Sequence, residues 1–451
     1  MEYECRIEKT YDADVLVIGG GPAGFGAAIA ASRNGAKTIL IDRYSTLGGM
    51  ATVGLVGPFM TCYDNDCKEQ IVKGIFDELC RKTEAVGGAI HPSRITGMGP
   101  YNSFYIRSHE HVTPFFSESL AVVMDEMTRE AGIKVLFNTQ FVDAITKDGH
   151  IEYVIVLMKE GLAAIKAQYY IDCTGDADVS FKAGVPCIYG NGEEANPSSL
   201  FFEVDNVDDD EYCAELEENK DKLDNHMGNC YSWRIDEGKK NGEWTIQKNE
   251  IGMYRQPQKG RWKVNTTRMA NVDSCDTEQV SEAMMEGRRQ VQEILSFMRK
   301  NIPGCKNVQL VQVAQTLGIR ESRHVKCLYE LTVEDVLHTA RFFDAICTFA
   351  YAIDVHLSQG GGVEFTCVDK YYTIPYRSLV PQNCLNLFVA GRCIGGTSEA
   401  AASFRVMPAC VATGQAAGTA AAIALKKNVA NKDVPVEELV STLKEQGAVI
   451  K

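Results

Sequence analysis

Val15-Leu16-Val17-Ile18-Gly19-Gly20-Gly21-Pro22-Ala23-Gly24-Phe25-Gly26-Ala27-Ala28 decides the fold of this chain. An apolar run stops at glycine and restarts as a series of small residues, which reads as a strand, a tight turn and a helix. Gly19, Gly21 and Gly24 have the G-x-G-x-x-G spacing, in which one glycine permits the turn, the next lets backbone approach a pyrophosphate, and the third lets helix and strand pack closely. The N-terminus of such a helix offers free N–H groups and a positive dipole to phosphate. A second apolar run, Thr38-Ile39-Leu40-Ile41, ends at Asp42, about twenty residues on, where a carboxylate can accept ribose hydroxyls. Together these features predict a dinucleotide site.

Working outward, Arg43 and then Leu47-Gly48-Gly49-Met50-Ala51-Thr52 follow Asp42, and the second glycine pair can pass backbone close to a cofactor. These additions resemble the flavoprotein extension of the nucleotide motif, which implies FAD rather than NAD. Strand signals follow at 133–137, 140–145 and 153–157, with Asp148-Gly149 as a turn. Tyr169-Tyr170-Ile171-Asp172-Cys173-Thr174-Gly175-Asp176 reads as another strand ending in a Thr-Gly turn and an acid. Near the other end, Asn386-Leu387-Phe388-Val389-Ala390 reads as a strand running into Gly391-Arg392, and 406–427 as a long helix of small residues. Between them, the apolar spacing predicts helices over 69–83, 114–131 and 278–300. Residues 1–11 read as a polar tail or added edge.

The chain has 451 residues, enough for two to three domains' worth of core, and a net charge of −14. That balance argues against nucleic acid as a partner, and no Lys/Arg stripe offsets it. No stretch approaches the ~18–20 uninterrupted apolar residues of a membrane span, so a cytoplasmic protein is expected, with no membrane partner. The 16 cysteines are scattered and include no C-x-x-C pair, so no zinc-ribbon or iron–sulfur ligand set is readable and no metal is expected. His109 and His111 would share a face in a strand, but two ligands are too few for a site.

Taken together, IGGGPAGFGAA, LGGMAT, IDCTGDAD, LGIRESR, IDVH, IPYRSLVP and the segment from Asn386 to Ala422 resemble the FAD-dependent oxidoreductase family, which has the glutathione-reductase-like FAD fold and is distantly related to fumarate reductase flavoproteins. The resemblance implies an α/β architecture: a Rossmann-like FAD-binding domain, parallel sheet plus β-meander, with an inserted α+β substrate domain. The implied division is 1–190 for the first part of the FAD domain, 191–369 for the substrate domain, and 370–451 for the return segment and C-terminal helices. It implies noncovalent FAD held by Gly19, Gly21, Pro22, Ala23, Gly24, Asp42, Arg43, Gly48, Gly49, Met50, Ala51, Val142, Thr174, Gly175, Asp176, Gly391, Arg392 and Met407.

A flavin enzyme also needs cations to anchor substrate and a group to hold a proton. Arg405 and Arg392 lie where the chain returns to the cofactor, and His356 is expected to do acid–base or orienting work, because imidazole titrates near neutrality. Arg320, Glu321 and Arg323 are expected in an interdomain ion-pair network. The aromatic residues near Arg255, Arg261 and Arg268, with the tryptophans at 233, 244 and 262, read as a second core or a pocket lining. The expected activity is a dehydrogenase or reductase acting by hydride transfer on a small polar or anionic metabolite. Two alternatives stay open: a thiol–disulfide reductase using Cys62 and Cys67, and an electron-transfer subunit of a larger complex. NAD(P)H or a protein as electron partner, and self-association, are left open as well.

Overall fold

The strand opening at Val15 lies at the centre of a seven-stranded sheet. The structure, a computed structural model, describes residues 6–104, 109–189, 196–223, 230–357 and 362–451. Ile7–Ile18 pairs in parallel with Thr38–Ile41 on one side and with Gly161–Asp172 on the other, Ile18 standing opposite both Ile41 and Asp172. Lys134–Leu136 extends the parallel part beyond Thr38–Ile41. Of the two readings of residues 1–11, a tail or an added edge, the structure gives strand: Ile7 to Ala13 pair with Leu162 to Ala167, and residues 1–5 lie outside the described residues. Ladder hydrogen bonds use backbone alone, so exposed polar side chains there do not prevent pairing.

Gly161–Asp172 is divided along its second edge. Its first residues, Gly161 to Ile165, carry the antiparallel meander of His150–Met158 and Gln140–Lys147. Its last, Tyr170 to Asp172, pair in parallel with Leu387–Val389. The late strand therefore lands beside the first glycine turn, although it is more than two hundred residues from its partner.

Two helices of small residues pack on this sheet. Pro22–Arg33 lies against Met407–Lys427 so closely that a Cβ on Gly414 would stand 2.0 Å from the Ala23 carbonyl oxygen and one on Gly418 2.1 Å from that of Ala27. By length and composition Met407–Lys427 could cross a bilayer, yet 89% of its apolar window is buried inside the protein. It is a core helix, apolar all round because it is covered all round. The helix expected over 69–83 begins later, at Ile75–Ala85, because Gly74 turns the chain with φ of +63° and Gln415 Oε1 accepts the Ile75 N–H at 3.0 Å.

A second sheet, antiparallel in the order Gln309–Val313, Phe202–Asp205, Trp262–Asn265, Gly252–Arg255, has its own core. Trp244 and Trp262 are buried there, with Tyr212, Tyr231 and the Val291, Ile294, Leu295 and Met298 face of the helix Thr277–Asn301. That helix starts with Asp276 accepting the N–H groups of Glu278 and Gln279. A small cluster of Leu55, Leu200, Phe201, Met269 and Leu317 joins the second sheet to the glycine-rich segment after Gly49.

Candidate functional site

A cleft of about 350 Å³ runs between the two sheets. At one end its wall is the nucleotide fold: Gly19, Gly21, Pro22, Ala23, Asp42, Arg43, Gly49, Met50, Thr174, Gly175, Asp176, Gly391, Arg392 and Met407 all line it. The glycines differ in what they do. A Cβ on Gly24 would lie 1.7 Å from the Gly19 carbonyl oxygen, so this residue is required by helix–strand packing and faces away from the cleft. Around Gly21 nothing lies within 4 Å of the Cβ direction, so that glycine keeps open space for something that is not protein. Gly48, with φ of +100°, turns the chain behind the lining, and Ala51 is buried there.

Val142 is a correction. It does not line the cleft; Gln140 and Phe141 do, and a bulge between Phe141 and Asp143 leaves the Val142 side chain exposed.

Two helices begin in this wall, Pro22–Arg33 and Met407–Lys427, and neither N-cap residue supplies a side-chain hydrogen bond. Neither N-cap side chain occupies their first turns, and their dipoles favour negative charge there. Burial raises the Asp42 carboxyl, which accepts from the N–H of Gly20 and, at 2.7 Å, of Tyr44. The remaining lone pairs suit sugar hydroxyls. Arg392 pairs with Asp176 at 2.6 Å, and Arg323 pairs with Asp178 and caps the Asp176 carbonyl at 2.7 Å. A tight glycine turn, two uncapped helix ends, a ribose-type carboxylate and a cationic wall fit a dinucleotide cofactor.

The other end is built from side chains. Asp354 and His356 alternate along the strand Ile353–His356 and so share a face, with His356 Nε2 3.4 Å from Asp354 Oδ1. Arg405 donates to the Asp354 carbonyl at 2.8 Å and lies 3.7 Å from its carboxylate. Arg320 lines the same wall, its guanidinium donating to the Pro197 carbonyl. Lys248 and Glu250 form a buried pair at 2.8 Å, while Tyr254 and Tyr351 complete the lining. Arg268, just behind, donates to the Leu357 carbonyl.

Among the described residues, the charges at this end do not balance pair by pair. With Lys248 matched to Glu250, the carboxylate of Asp354 faces two guanidiniums, Arg320 and Arg405, while the Glu321 carboxylate also acts on Arg405 and the Arg268 cation on Arg320. Burial opposes ionisation of Asp354, but His356, Arg405 and Arg320 outweigh it and hold the group well below the usual carboxylate range. Burial and the Arg405 charge push Arg320 down to about 10, so it still carries its proton at neutral pH. A buried cationic excess is a site waiting for an anion.

His356 departs from expectation in its titration. It does not titrate near neutrality: burial, then Arg320, push it down to about 3 against the pull of Asp354. The ring is therefore neutral, and we assign its proton to Nε2, facing Asp354, which leaves Nδ1 as an acceptor.

Of the interdomain ion-pair network expected for Arg320, Glu321 and Arg323, the Arg323 pair with Asp178 is present, while the other two residues take separate partners. Neighbours on non-helical backbone diverge, so Glu321 turns to Asn196 at 3.0 Å and Arg323 to Asp178, while Arg320 enters the cleft. That divergence was the available signal. Trp244 and Trp262 are core residues, and Arg255 and Arg261 pair with Asp209 and Glu203. Cys62 and Cys67 are free thiols and neither lines the cleft; burial raises Cys62 and lifts Cys67 to about 12, the opposite of a reactive thiolate. His109 lines the cleft near Tyr351 while His111 does not, and Tyr105 to Ser108 of the same run lie outside the described residues.

A family model described as FAD dependent oxidoreductase matches residues 14–443. Among curated proteins, a thiamine thiazole synthase of Methanococcus maripaludis is 27% identical over 172 residues, covering 36% of this chain and 56% of its own length. A mitochondrial dihydrolipoyl dehydrogenase of Caenorhabditis elegans is 55% identical over 41 residues, 9% of this chain and 8% of that protein. The chain thus spans under two thirds of either relative. Among solved structures, a geranylgeranyl bacteriochlorophyll reductase-like protein of Thermoplasma acidophilum aligns over 97% of this chain and 85% of its own, with 14% identity and a TM-score of 0.48.

Proposed function

Because the chain belongs to the FAD-dependent oxidoreductase family, we propose that it is a dehydrogenase or reductase for a small metabolite that carries a carboxylate. FAD is the cofactor, and when bound it supplies the two-electron acceptor or donor. In this reading residues 1–190 and 370–451 hold the cofactor noncovalently, 191–369 hold the substrate, and the protein works in the cytoplasm with reduced thiols.

The observation that carries the proposal is the buried excess of Arg320 and Arg405 over Asp354. The two guanidiniums take the substrate carboxylate, one of them made available because Asp354 can satisfy only one positive charge. Asp354 holds His356 by its Nε2 proton and keeps Nδ1 as the acceptor. Nδ1 then takes the proton of the substrate hydroxyl or amine as the adjacent C–H bond is oxidised, and returns it in the reductive direction. Before substrate binds, Arg320 helps keep His356 too acidic for this work. A bound carboxylate cancels that field, so the base is switched on by the substrate it serves.

Anaerobic mixing of the yellow holoprotein with matched carboxylates and uncharged analogues tests the reading. Bleaching is expected with carboxylates only. Arg320→Met is expected to raise KM by roughly tenfold to a hundredfold, the value of a charged hydrogen bond of about 1.5–3 kcal/mol. Equal bleaching by uncharged analogues, or an unchanged KM, would overturn it.

A further inference from the structure

Cys67, Glu110 and His111 lie outside the cleft and take no part in the chemistry above. Their sulfur, carboxylate and imidazole donor atoms all stand within 4.8 Å of one another. From this cluster and the way its histidine is held, we propose a binding site for a divalent cation of the Zn²⁺ type, with a thiolate, an imidazole and a carboxylate as ligands and water in the fourth position.

Two observations support it. First, His111 Nδ1 lies 3.0 Å from the Pro92 carbonyl oxygen, and only an N–H can bond there. That bond fixes the tautomer and leaves Nε2 as the lone-pair nitrogen, the arrangement found when a metal-ligating histidine is oriented by a backbone carbonyl. Tyr63 stacks on the same ring at 3.9 Å and 14°, which fixes its plane.

Second, hydrogen bonds fix the turns that carry Cys67 and His111. Asp64 Oδ1 accepts the N–H groups of Lys68 at 2.8 Å and Glu69 at 3.1 Å, and its carbonyl accepts that of Cys67 at 2.9 Å. Asn65 ties the turn to the Val368 and Lys370 carbonyls. The His111 N–H reaches the Ile95 carbonyl at 3.1 Å. Cys67 and His111 adopt left-handed backbone, φ +57° and +54°, a conformation that non-glycine residues hold only where surroundings enforce it.

Binding replaces the thiol proton, which leaves to solvent, with one metal–sulfur bond; no oxidation is involved. Closing the donors by about 1 Å brings them to bonds of about 2.0–2.3 Å. The site then clamps the 62–70 turn to the segment whose His109 lines the cleft two residues away.

The test uses tag-free full-length protein, stripped with a chelator and titrated with Co²⁺ as the spectroscopic probe. The expected result is one Co²⁺ per chain with thiolate charge-transfer and tetrahedral d–d bands, both removed by added Zn²⁺. Cys67→Ser should abolish the charge-transfer band, and Glu110→Gln should weaken binding at least about tenfold while the protein keeps its flavin. Cys275→Ser, at an exposed thiol elsewhere, should change nothing. Sub-stoichiometric binding, an octahedral spectrum without charge transfer, or the same spectrum in Cys67→Ser would overturn the proposal.

Discussion

The two ends of the cleft are made differently. The cofactor end is backbone: glycines, two helix N-termini, and charges that pair within the wall, Arg392 with Asp176 and Arg323 with Asp178. The substrate end is side chain: Arg320, Arg405, Asp354 and His356, with positive charge left over. Backbone recognition needs particular residues at fixed spacing and tolerates no others, whereas a charged pocket needs only that the right groups converge. The first end should therefore fail through sterics, the second through electrostatics.

The largest effect is expected at the first end. Gly24→Val would push a side chain into a place where even a Cβ stands 1.7 Å from the Gly19 carbonyl oxygen, so no yellow, folded protein should be recovered from expression. Recovery of soluble holoprotein would break the steric half of the comparison. Next comes Asp354→Asn, which leaves Arg405 and Arg320 without their carboxylate. A buried pair broken from one side costs about 3–5 kcal/mol, to be read from urea unfolding, and added carboxylate ligand should restore part of it.

A smaller effect, read over the window from pH 6 to 4, concerns His356. Its folded-state pKa of about 3 lies below the ordinary 6.5. As pH falls through 6.5 the unfolded chain takes up a proton that the folded chain refuses, so stability drops with falling pH down to about 3, by about 1.4 kcal/mol per pH unit. His324, pushed down to about 4 chiefly by burial, acts in the same sense. His356→Gln should remove its own share of the slope between pH 6 and 4, and an unchanged slope would show that His356 is not held neutral. Smallest of all in stability is Gly21→Ala, expected within about 0.5 kcal/mol because nothing lies near its Cβ direction. Flavin release should nonetheless quicken, and that dissociation of affinity from stability would sharpen the contrast with Gly24.

The same contrast explains what could be read from the chain alone. Gly19, Gly21 and Gly24, the acid at Asp42, and the Thr174-Gly175 and Gly391-Arg392 turns were legible because each spacing reports a backbone requirement. The start of the sheet at Ile7 was not, since ladder bonds leave no mark on exposed side chains. Nor was the late start of the helix at Ile75, which depends on Gln415 reaching across from another helix. Entry of the Arg320 side chain into the cleft was not legible either, because the residues beside it in sequence give no sign of which side chain enters. His356 was found, but its protonation was not, because the field of Arg320 comes from a residue 36 positions away in the numbering.

The divided edge of Gly161–Asp172 sets an order on the making of this protein. During synthesis the meander can close on residues 161–165 as soon as it emerges. The stretch 170–172 must wait for Leu387–Val389, and the glycine turn waits with it for the helix Met407–Lys427. Until most of the chain has left the ribosome, the flavin pocket lacks a wall and the nascent sheet keeps an open edge. Loading of FAD is thus expected only once residues 387–427 are available, and fragments ending before residue 387 should be colourless.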